Sequence, residues 1–244
     1  VSWHGRQPRP RRKMPWDAVQ AVIDVGVDAG VPVATHMFYQ ADAMQLLNRG
    51  TGMIAHSVRD VPVSDAFVTA LADADVCYVP TLTREVSTFV YADTPDFFDD
   101  PFFLRYASDE QVARVSEPEF QRDMANSEIA AGYRKALDQA MENLRRLSAA
   151  GARIAFGTDS GPAGRFPGYF EHLELEMMVE AGMTPEDALI SATGRAADCI
   201  GLTDVGTLEP GKWADFLVLK DDPTNDITAT KSLQRVFLAG EELR

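Results

Sequence analysis

Hydrophobic and polar positions follow two alternating periods through the first third of the chain. Apolar residues recur at helical spacing over residues 15–29, Gly30 breaks the pattern, and an apolar run over 31–38 follows. The same order repeats twice, with helices predicted at 41–48 and 64–74 and strands at 53–58 and 76–82. Since a parallel strand is reached only through a long crossover connection, this succession predicts a parallel sheet and an α/β fold.

The pattern changes between residues 84 and 128. This segment is rich in acids and in aromatic residues and shows no clear period. A long irregular insertion after the end of a strand is usually functional, so we expect a lid, with a packing or disordered loop as the alternative. A long helix at 127–150 then leads to a strand at 154–156.

The remaining elements predict a helical stretch and then antiparallel strands. A helix is expected at 169–181, and another begins at Thr184, which is followed by a proline and two acids, and ends at Gly201. A hairpin-like piece over 206–220 and a strand at 235–238 follow. We therefore divide the chain into a parallel α/β part at 1–203 and a strand-rich part at 204–244.

Three polar residues stand near or just after the ends of predicted strands in the parallel part. His36 and His56 occupy equivalent places on consecutive strands, and Asp159 follows the strand at 154–156. Neighbouring parallel strands are about 4.8 Å apart, so such side chains can converge on one divalent ion. A single histidine is more often a hydrogen-bonded core residue, and a single Asp is more often a turn residue. Taken together, the three favour a metal site.

Composition excludes several classes of partner. The net charge of −14 argues against a nucleic-acid or anionic membrane surface. Five basic residues between 6 and 13 could form a local basic arm, but an exposed loop is the more ordinary explanation. No apolar run is long enough to span a bilayer. Cys77 and Cys199 are far apart in the sequence, so we expect free buried thiols and a cytoplasmic, reducing location rather than a disulfide.

Six segments in order resemble the metal-dependent amidohydrolase superfamily, in the branch of imidazolonepropionase-like and Xaa-Pro dipeptidase-like enzymes. They are ATHMFY at 34–39, IAHSVRD at 54–60, PTL at 80–82, GTDSG at 157–161, AGMTP at 181–185 and GTLEPGKWAD at 206–215. The resemblance implies strands five to eight of a distorted TIM (β/α)8 barrel, followed by strands of a C-terminal β-sandwich. It also implies a centre of one or two divalent metal ions, with zinc the expected metal.

The same resemblance implies roles for individual residues. His36 and His56 would be ligands of one metal, and Asp159 would be a ligand of the other and the general base of C–N bond hydrolysis. Tyr39, Arg59 and Thr81 stand at or just beyond strand ends, where contacts with a small-molecule or dipeptide-like substrate are expected. His172 is a weaker candidate for the same role, and a homo-oligomer is compatible with the sequence.

The chain departs from the family pattern at its beginning. It has no His-x-His pair and no lysine in a fourth-strand position, and residues 1–3 look like the end of a strand. We therefore expect a fragment that lacks the N-terminal metal ligands and is by itself inactive and poorly soluble, since four strands cannot close an eight-stranded barrel. A non-catalytic remnant and a heterocyclic amine deaminase remain the alternatives.

Overall fold

A computed structural model of the chain describes residues 13–243, so the basic segment up to Arg12 and the expected strand at 1–3 lie outside the described residues. Helices α1 to α11 are Trp16–Ala29, Gln40–Leu47, Asp65–Asp73, Leu82–Val86, Pro101–Tyr106, Asp109–Val115, Pro118–Ala125, Glu128–Ala149, Phe170–Glu180, Pro185–Ala192 and Gly194–Cys199. Strands β1 to β6 are Ala34–His36, Met53–Ala55, Cys77–Val79, Phe216–Leu219, Leu233–Leu238 and Glu241–Leu243. Short 3-10 helices occupy Val90–Ala92, Asp96–Asp99 and Ile227–Lys231.

The first sheet is parallel, with the strand order β1-β2-β3. Its register pairs His36 with Ala55, and Ala55 with Val79. Tyr78 extends the pairing to Ile154 through a single parallel bridge, so the predicted strand at 154–156 contributes only one paired residue. The predicted α/β class, with its parallel sheet, is confirmed.

Proline and left-handed backbone limit the length of these strands. Pro32 and Pro80 carry no N–H for a sheet hydrogen bond, and both stand outside the strands beside them. His56 directly follows β2 with a φ of 73°, which turns the chain out of the sheet. The strands therefore cover only the centres of the predicted segments.

Local capping chemistry sets several helix ends. Gly30 ends α1 in the left-handed conformation, and the side chain of Thr184 accepts a hydrogen bond from the Asp187 N–H at the start of α10, as the sequence indicates. The helix predicted to run on to Gly201 is broken at Thr193, whose φ of −124° and ψ of −99° are not helical. Two short helices, α10 and α11, replace it.

The main core lies between the parallel sheet and the helices around it. Ile54, Tyr78 and Ile154 on the sheet are buried against apolar side chains of α3, α8 and α9, including Phe67, Leu144 and Met178. Asn143 of α8 is also buried, and its side-chain amide donates to the carbonyl oxygens of Val58 and Val61. This amide fastens α8 to the loop that follows β2.

The segment at 84–128 is helical rather than irregular. It contains α5, α6, α7 and two 3-10 turns, which pack around a second core of aromatic side chains. Phe103 lies at its centre, with ring centroids 5.1 Å from Phe98 and 4.9 Å from Phe166. The expectation of an irregular segment was wrong because aromatic packing supplies the order that helical periodicity does not reveal.

The second sheet is antiparallel, with the order β4-β5-β6. Phe216 of β4 faces Phe237 of β5, and their rings stack with centroids 4.4 Å apart. The expected antiparallel strands are present, but residues 206–211 form turns instead of the first arm of a hairpin. Ile227, between β4 and β5, packs into the main core and ties this sheet to the α/β part.

Cys77 and Cys199 form a disulfide with a Cα–Cα distance of 6.0 Å. Cys77 is the first residue of β3 and Cys199 is the last residue of α11, and both are buried. The expectation of free thiols was wrong because the fold brings together two residues that are 122 positions apart, and no local motif predicts such a pair. Over residues 13–243, no helix combines the length and apolar character needed to cross a membrane.

Candidate functional site

His36 and His56 meet at the carboxyl ends of β1 and β2. Their ring centroids are 4.5 Å apart, and the ring planes are nearly perpendicular, at 79°. The parallel register explains the meeting, because His36 is paired with Ala55, the residue immediately before His56. The structure therefore brings together the two imidazoles singled out in the sequence.

His56 is held in a buried and electropositive place. Its Nδ1 lies 2.6 Å from Thr81 Oγ1, and the residue is 7% exposed. Burial is the main cause that lowers the pKa of His56 to about 3, and the neighbouring His36 and the positive charge of Arg84 add to it. The imidazole is therefore neutral near pH 7, which is the form that can offer a lone pair to a metal ion.

Three residues of this region have left-handed backbone although none is glycine. They are His56, Thr81 and Asp159, with φ values of 73°, 50° and 55°. Each follows one of the parallel segments, namely β2, β3 and the bridge at Ile154. Such backbone costs about 1–3 kcal/mol per residue and is concentrated at functional sites, most unusually so for a β-branched threonine. Such strain at three strand ends makes this edge of the sheet the candidate functional region.

Asp159 is bound to arginine. Its Oδ2 lies 2.5 Å from Arg165 Nη1 and 3.8 Å from Arg84 Nε, and the side chain is 43% exposed. Within residues 13–243, no cluster of three or more His, Cys, Asp or Glu side chains is positioned to hold a metal ion. The three predicted ligands thus fit a divalent metal in part: the two imidazoles are close together and His56 is neutral near pH 7, while the carboxylate is engaged by guanidinium groups.

Arg59 follows His56 by three residues and is buried. Its Nη1 donates to the Ser57 carbonyl oxygen at 2.5 Å, and its Nε lies 3.1 Å from Glu85 Oε1. Glu85 also accepts from Arg84 Nη1 at 2.6 Å, so two arginines share one buried carboxylate. The Arg59 side chain forms part of an open cavity of about 380 Å³ between the loops after β1 and β2 and the first half of α8. Arg59 is therefore largely committed to protein groups.

The other predicted substrate residues are placed differently from one another. Tyr39 is 47% exposed, and the Lys13 ammonium lies 4.5 Å from its ring centroid. Thr81 is buried and is hydrogen-bonded to His56. His172 bonds Thr230 at 2.9 Å, and its ring lies 4.8 Å from that of Phe102. The contacts of His172 therefore join the aromatic segment to the Ile227–Lys231 turn, and not to the imidazole pair.

Sequence reasoning missed Glu174 of α9. This carboxylate is fully buried, and it accepts hydrogen bonds from the Leu82 N–H at 2.7 Å and from the N–H and hydroxyl of Thr83, both at 2.8 Å. Burial raises the pKa of Glu174 to about 7. Its only signal in the sequence is an acid with buried apolar residues one helical turn away on either side, Phe170 and Met178. Arg84 and Arg165 were missed as well, because neither lies in a recognisable motif.

Solved structures with a similar fold include amidohydrolases. A Xaa-Pro dipeptidase with methionine bound in its active site superimposes with a TM-score of 0.69 at 24% identity, over 95% of this chain and 49% of that one. A putative prolidase from Bifidobacterium longum gives 0.70 at 24% identity, over 95% and 51%. The chain spans about half the length of these structures.

Curated relatives match a shorter part of the chain. Imidazolonepropionase of Deinococcus deserti is 44% identical over 87 residues, which are 35% of this chain and 22% of that protein. A 5-methylthioadenosine/S-adenosylhomocysteine deaminase of Bacillus thuringiensis is 31% identical over 96 residues, or 36% and 22%. The amidohydrolase family model matches residues 8–243, nearly the full length. The chain therefore belongs to the amidohydrolase family.

Proposed function

We propose that this chain is part of a hydrolase that cleaves a C–N bond in an amide, a cyclic amide or a dipeptide-like substrate. The single observation that carries the proposal is the pair of imidazoles of His36 and His56, which lie side by side at the ends of adjacent parallel strands. Family membership and the named activities of the imidazolonepropionase and dipeptidase relatives support the same reaction class. The structural likeness supports strands five to eight of a (β/α)8 barrel as the architecture.

His36 and His56 would hold a divalent metal, with zinc the first candidate because imidazole suits it well. When bound, such a metal supplies a more acidic water and polarises the substrate carbonyl. Asp159 would accept the proton of the attacking water at its carboxylate and return it to the leaving nitrogen. Asp159 must first break its ion pair with Arg165, whose Nη1 lies 2.5 Å from Oδ2.

Two imidazoles leave a metal centre incomplete, since a catalytic site needs about three protein ligands. The chain covers about half of its solved relatives, so we propose that further ligands come from a part of the protein outside these 244 residues. The inactivity of the isolated chain stays a prediction on the same basis. Tyr39 and the cavity beside Arg59 remain the proposed places for substrate contacts, and Thr81 and His172 are weaker candidates because both bond protein groups.

Zinc titration of the purified, chelator-treated chain tests the proposed centre. We expect His56→Ala to weaken zinc binding about tenfold or more, as loss of a ligand or of its support does. His172→Ala is the matched control, since His172 bonds Thr230 away from the pair. Equal zinc affinity in wild type and His56→Ala would contradict the proposal that the imidazole pair binds the metal. Less than one tightly bound ion per chain, unaffected by His56→Ala, would favour a non-catalytic remnant.

The deaminase is the second candidate, and the likeness to the Bacillus thuringiensis deaminase favours it. Both reactions would use an activated water, so the products separate them. With the protein made from its complete coding sequence, amide hydrolysis releases a new amine and a carboxylate, whereas deamination releases ammonia. Ammonia release from a heterocyclic amine, with no cleavage of amides or dipeptides, would replace the first proposal by the second.

Partners and location follow from general properties of the chain. The net charge of −14 supports a small-molecule substrate over nucleic acid or an anionic membrane, and a homo-oligomer remains compatible with it. A cytoplasmic location was inferred from free thiols, and the disulfide removes that support.

A further inference from the structure

Glu174 is bound to the loop that carries Thr81. The two oxygens of its carboxylate have different partners. Oε1 accepts a hydrogen bond from the Leu82 N–H, and Oε2 accepts hydrogen bonds from the N–H and the hydroxyl of Thr83. Glu174 lies on α9, 92 residues away from Leu82, so this contact joins two distant elements. Both acceptor atoms are in use, and a carboxamide of the same shape would turn one of them into a donor facing a donor.

Thr81 has a backbone conformation that it would not hold by itself. Its φ of 50° is unfavourable for a β-branched residue, and its surroundings must supply the difference. The next two N–H groups along the chain are those that Glu174 fixes. Glu174 therefore holds the backbone that keeps Thr81 left-handed.

Thr81 in turn contacts His56. Its Oγ1 lies 2.6 Å from His56 Nδ1, and both side chains are buried. A hydroxyl can donate to or accept from a neutral imidazole. If the hydroxyl oxygen accepts a hydrogen bond from Nδ1–H, Nε2 keeps its lone pair, which is how a partner of the second nitrogen orients a metal-binding histidine.

We infer that Glu174 is a positioning residue for His56, acting through Thr81 so that Nδ1 carries the proton and Nε2 carries the lone pair. The choice of tautomer rests on the proposed function, while the chain of contacts does not. Burying a carboxylate is unfavourable, and Glu174 offsets this only by ordering the Leu82–Thr83 backbone. Its hydrogen bonds go to Leu82 and Thr83, so its effect on His56 is indirect.

Nitrogen NMR of the metal-free chain, produced with isotope-labelled histidine, tests this inference. Signals that disappear in His56→Gln are assigned to His56. Wild type is expected to show a single Nδ1–H tautomer at His56. Glu174→Gln is expected to show mixed tautomers and to weaken Zn²⁺ binding about tenfold. Glu176→Gln is the matched control on the same helix, because Glu176 pairs with Lys231, 2.8 Å away, and not with the Thr81 loop. It should leave both measurements unchanged.

A second pair of variants keeps the inference testable if Glu174→Gln does not fold. Thr81→Ser retains the hydroxyl and should keep the tautomer, whereas Thr81→Val removes the hydroxyl and should lose it. An Nε2–H tautomer in wild type, or an unchanged His56 signal in Glu174→Gln or Thr81→Val, would overturn the inference. An Nδ1–H tautomer in a chain that binds no Zn²⁺ would instead count against the proposed function alone.

Discussion

Arg165 Nη1 contacts Asp159 twice, at 2.5 Å from the carboxylate Oδ2 and at 2.9 Å from the carbonyl oxygen of the same residue. One guanidinium thus holds both the side chain and the left-handed backbone of the proposed general base. Arg165 is itself anchored, since its Nε donates to Ser87 Oγ at 3.1 Å. The loop after Ile154 and the segment after β3 are therefore linked by one arginine.

We expect Asp159→Asn to lower the free energy of unfolding by about 1–2 kcal/mol. Asparagine tolerates left-handed backbone, so the loss reports the charge-assisted bond to the nearly buried Arg165. Urea unfolding measures it. Asp65→Asn is the control, because the Asp65 side chain is 97% exposed in its pair with Arg146 and should contribute under about 1 kcal/mol. An unchanged or raised stability in Asp159→Asn would show that the pair does not stabilise the fold.

Reduction of the Cys77–Cys199 disulfide is expected to lower the free energy of unfolding by about 2–4 kcal/mol. The bond closes a loop across 122 positions, and so long a loop strongly restricts the unfolded chain. Thermal unfolding with and without a thiol reductant measures the effect. The double variant Cys77→Ala/Cys199→Ala should not respond to the reductant. Two titratable thiols in the denatured, unreduced wild type would contradict the bond itself.

The raised pKa of Glu174 predicts that the stability of the protein depends on pH. Its pKa is raised from 4.5 to about 7, so the folded protein binds this proton more tightly than the unfolded chain does. Its contribution is therefore most favourable below pH 4.5 and declines by about 3 kcal/mol as the pH rises to 7. Urea unfolding from pH 4.5 to 8 measures the stability of wild type minus that of Glu174→Gln. This difference should fall with rising pH, and a constant difference would show that Glu174 does not titrate in this range.

Phe103 tests whether the segment at 84–128 is a packed unit. We expect Phe103→Ala to destabilise the protein by about 3–5 kcal/mol, since the side chain is buried among aromatic rings. Because one of these rings belongs to Phe166, next to Arg165, the loop after Asp159 should also become easier to cleave in limited proteolysis. Leu104→Ala is the control, with its side chain in solvent. Equal cleavage of both variants would mean that the aromatic core does not support the loop.

A packed segment does not exclude the expected lid. Tyr91 OH donates to the Gly164 carbonyl oxygen at 2.5 Å, so the segment is fastened to the loop that carries Arg165. Any movement that opens the site would act on this loop as well. The lid therefore stays a prediction, now with a defined attachment point.

The sequence alone indicates most helices and strands of the parallel part and the place of the strand-end histidines. Hydrophobic period, the glycine after α1 and the Thr184 cap act within a few residues, so they are visible in a single chain. The meeting of His36 and His56 was foreseeable for a similar reason, since parallel register places equivalent positions side by side.

The pairing of distant residues, in contrast, depends on the tertiary structure. Cys77 forms a disulfide with Cys199, 122 positions away, and the Leu82 N–H donates to Glu174, 92 positions away. No local sequence pattern predicts either partner. The left-handed backbone of Thr81 likewise contradicts the preference of a β-branched residue and exists because packed neighbours impose it. Local propensities fix the elements, but buried polar groups take their partners from whichever element the packing brings within hydrogen-bond distance.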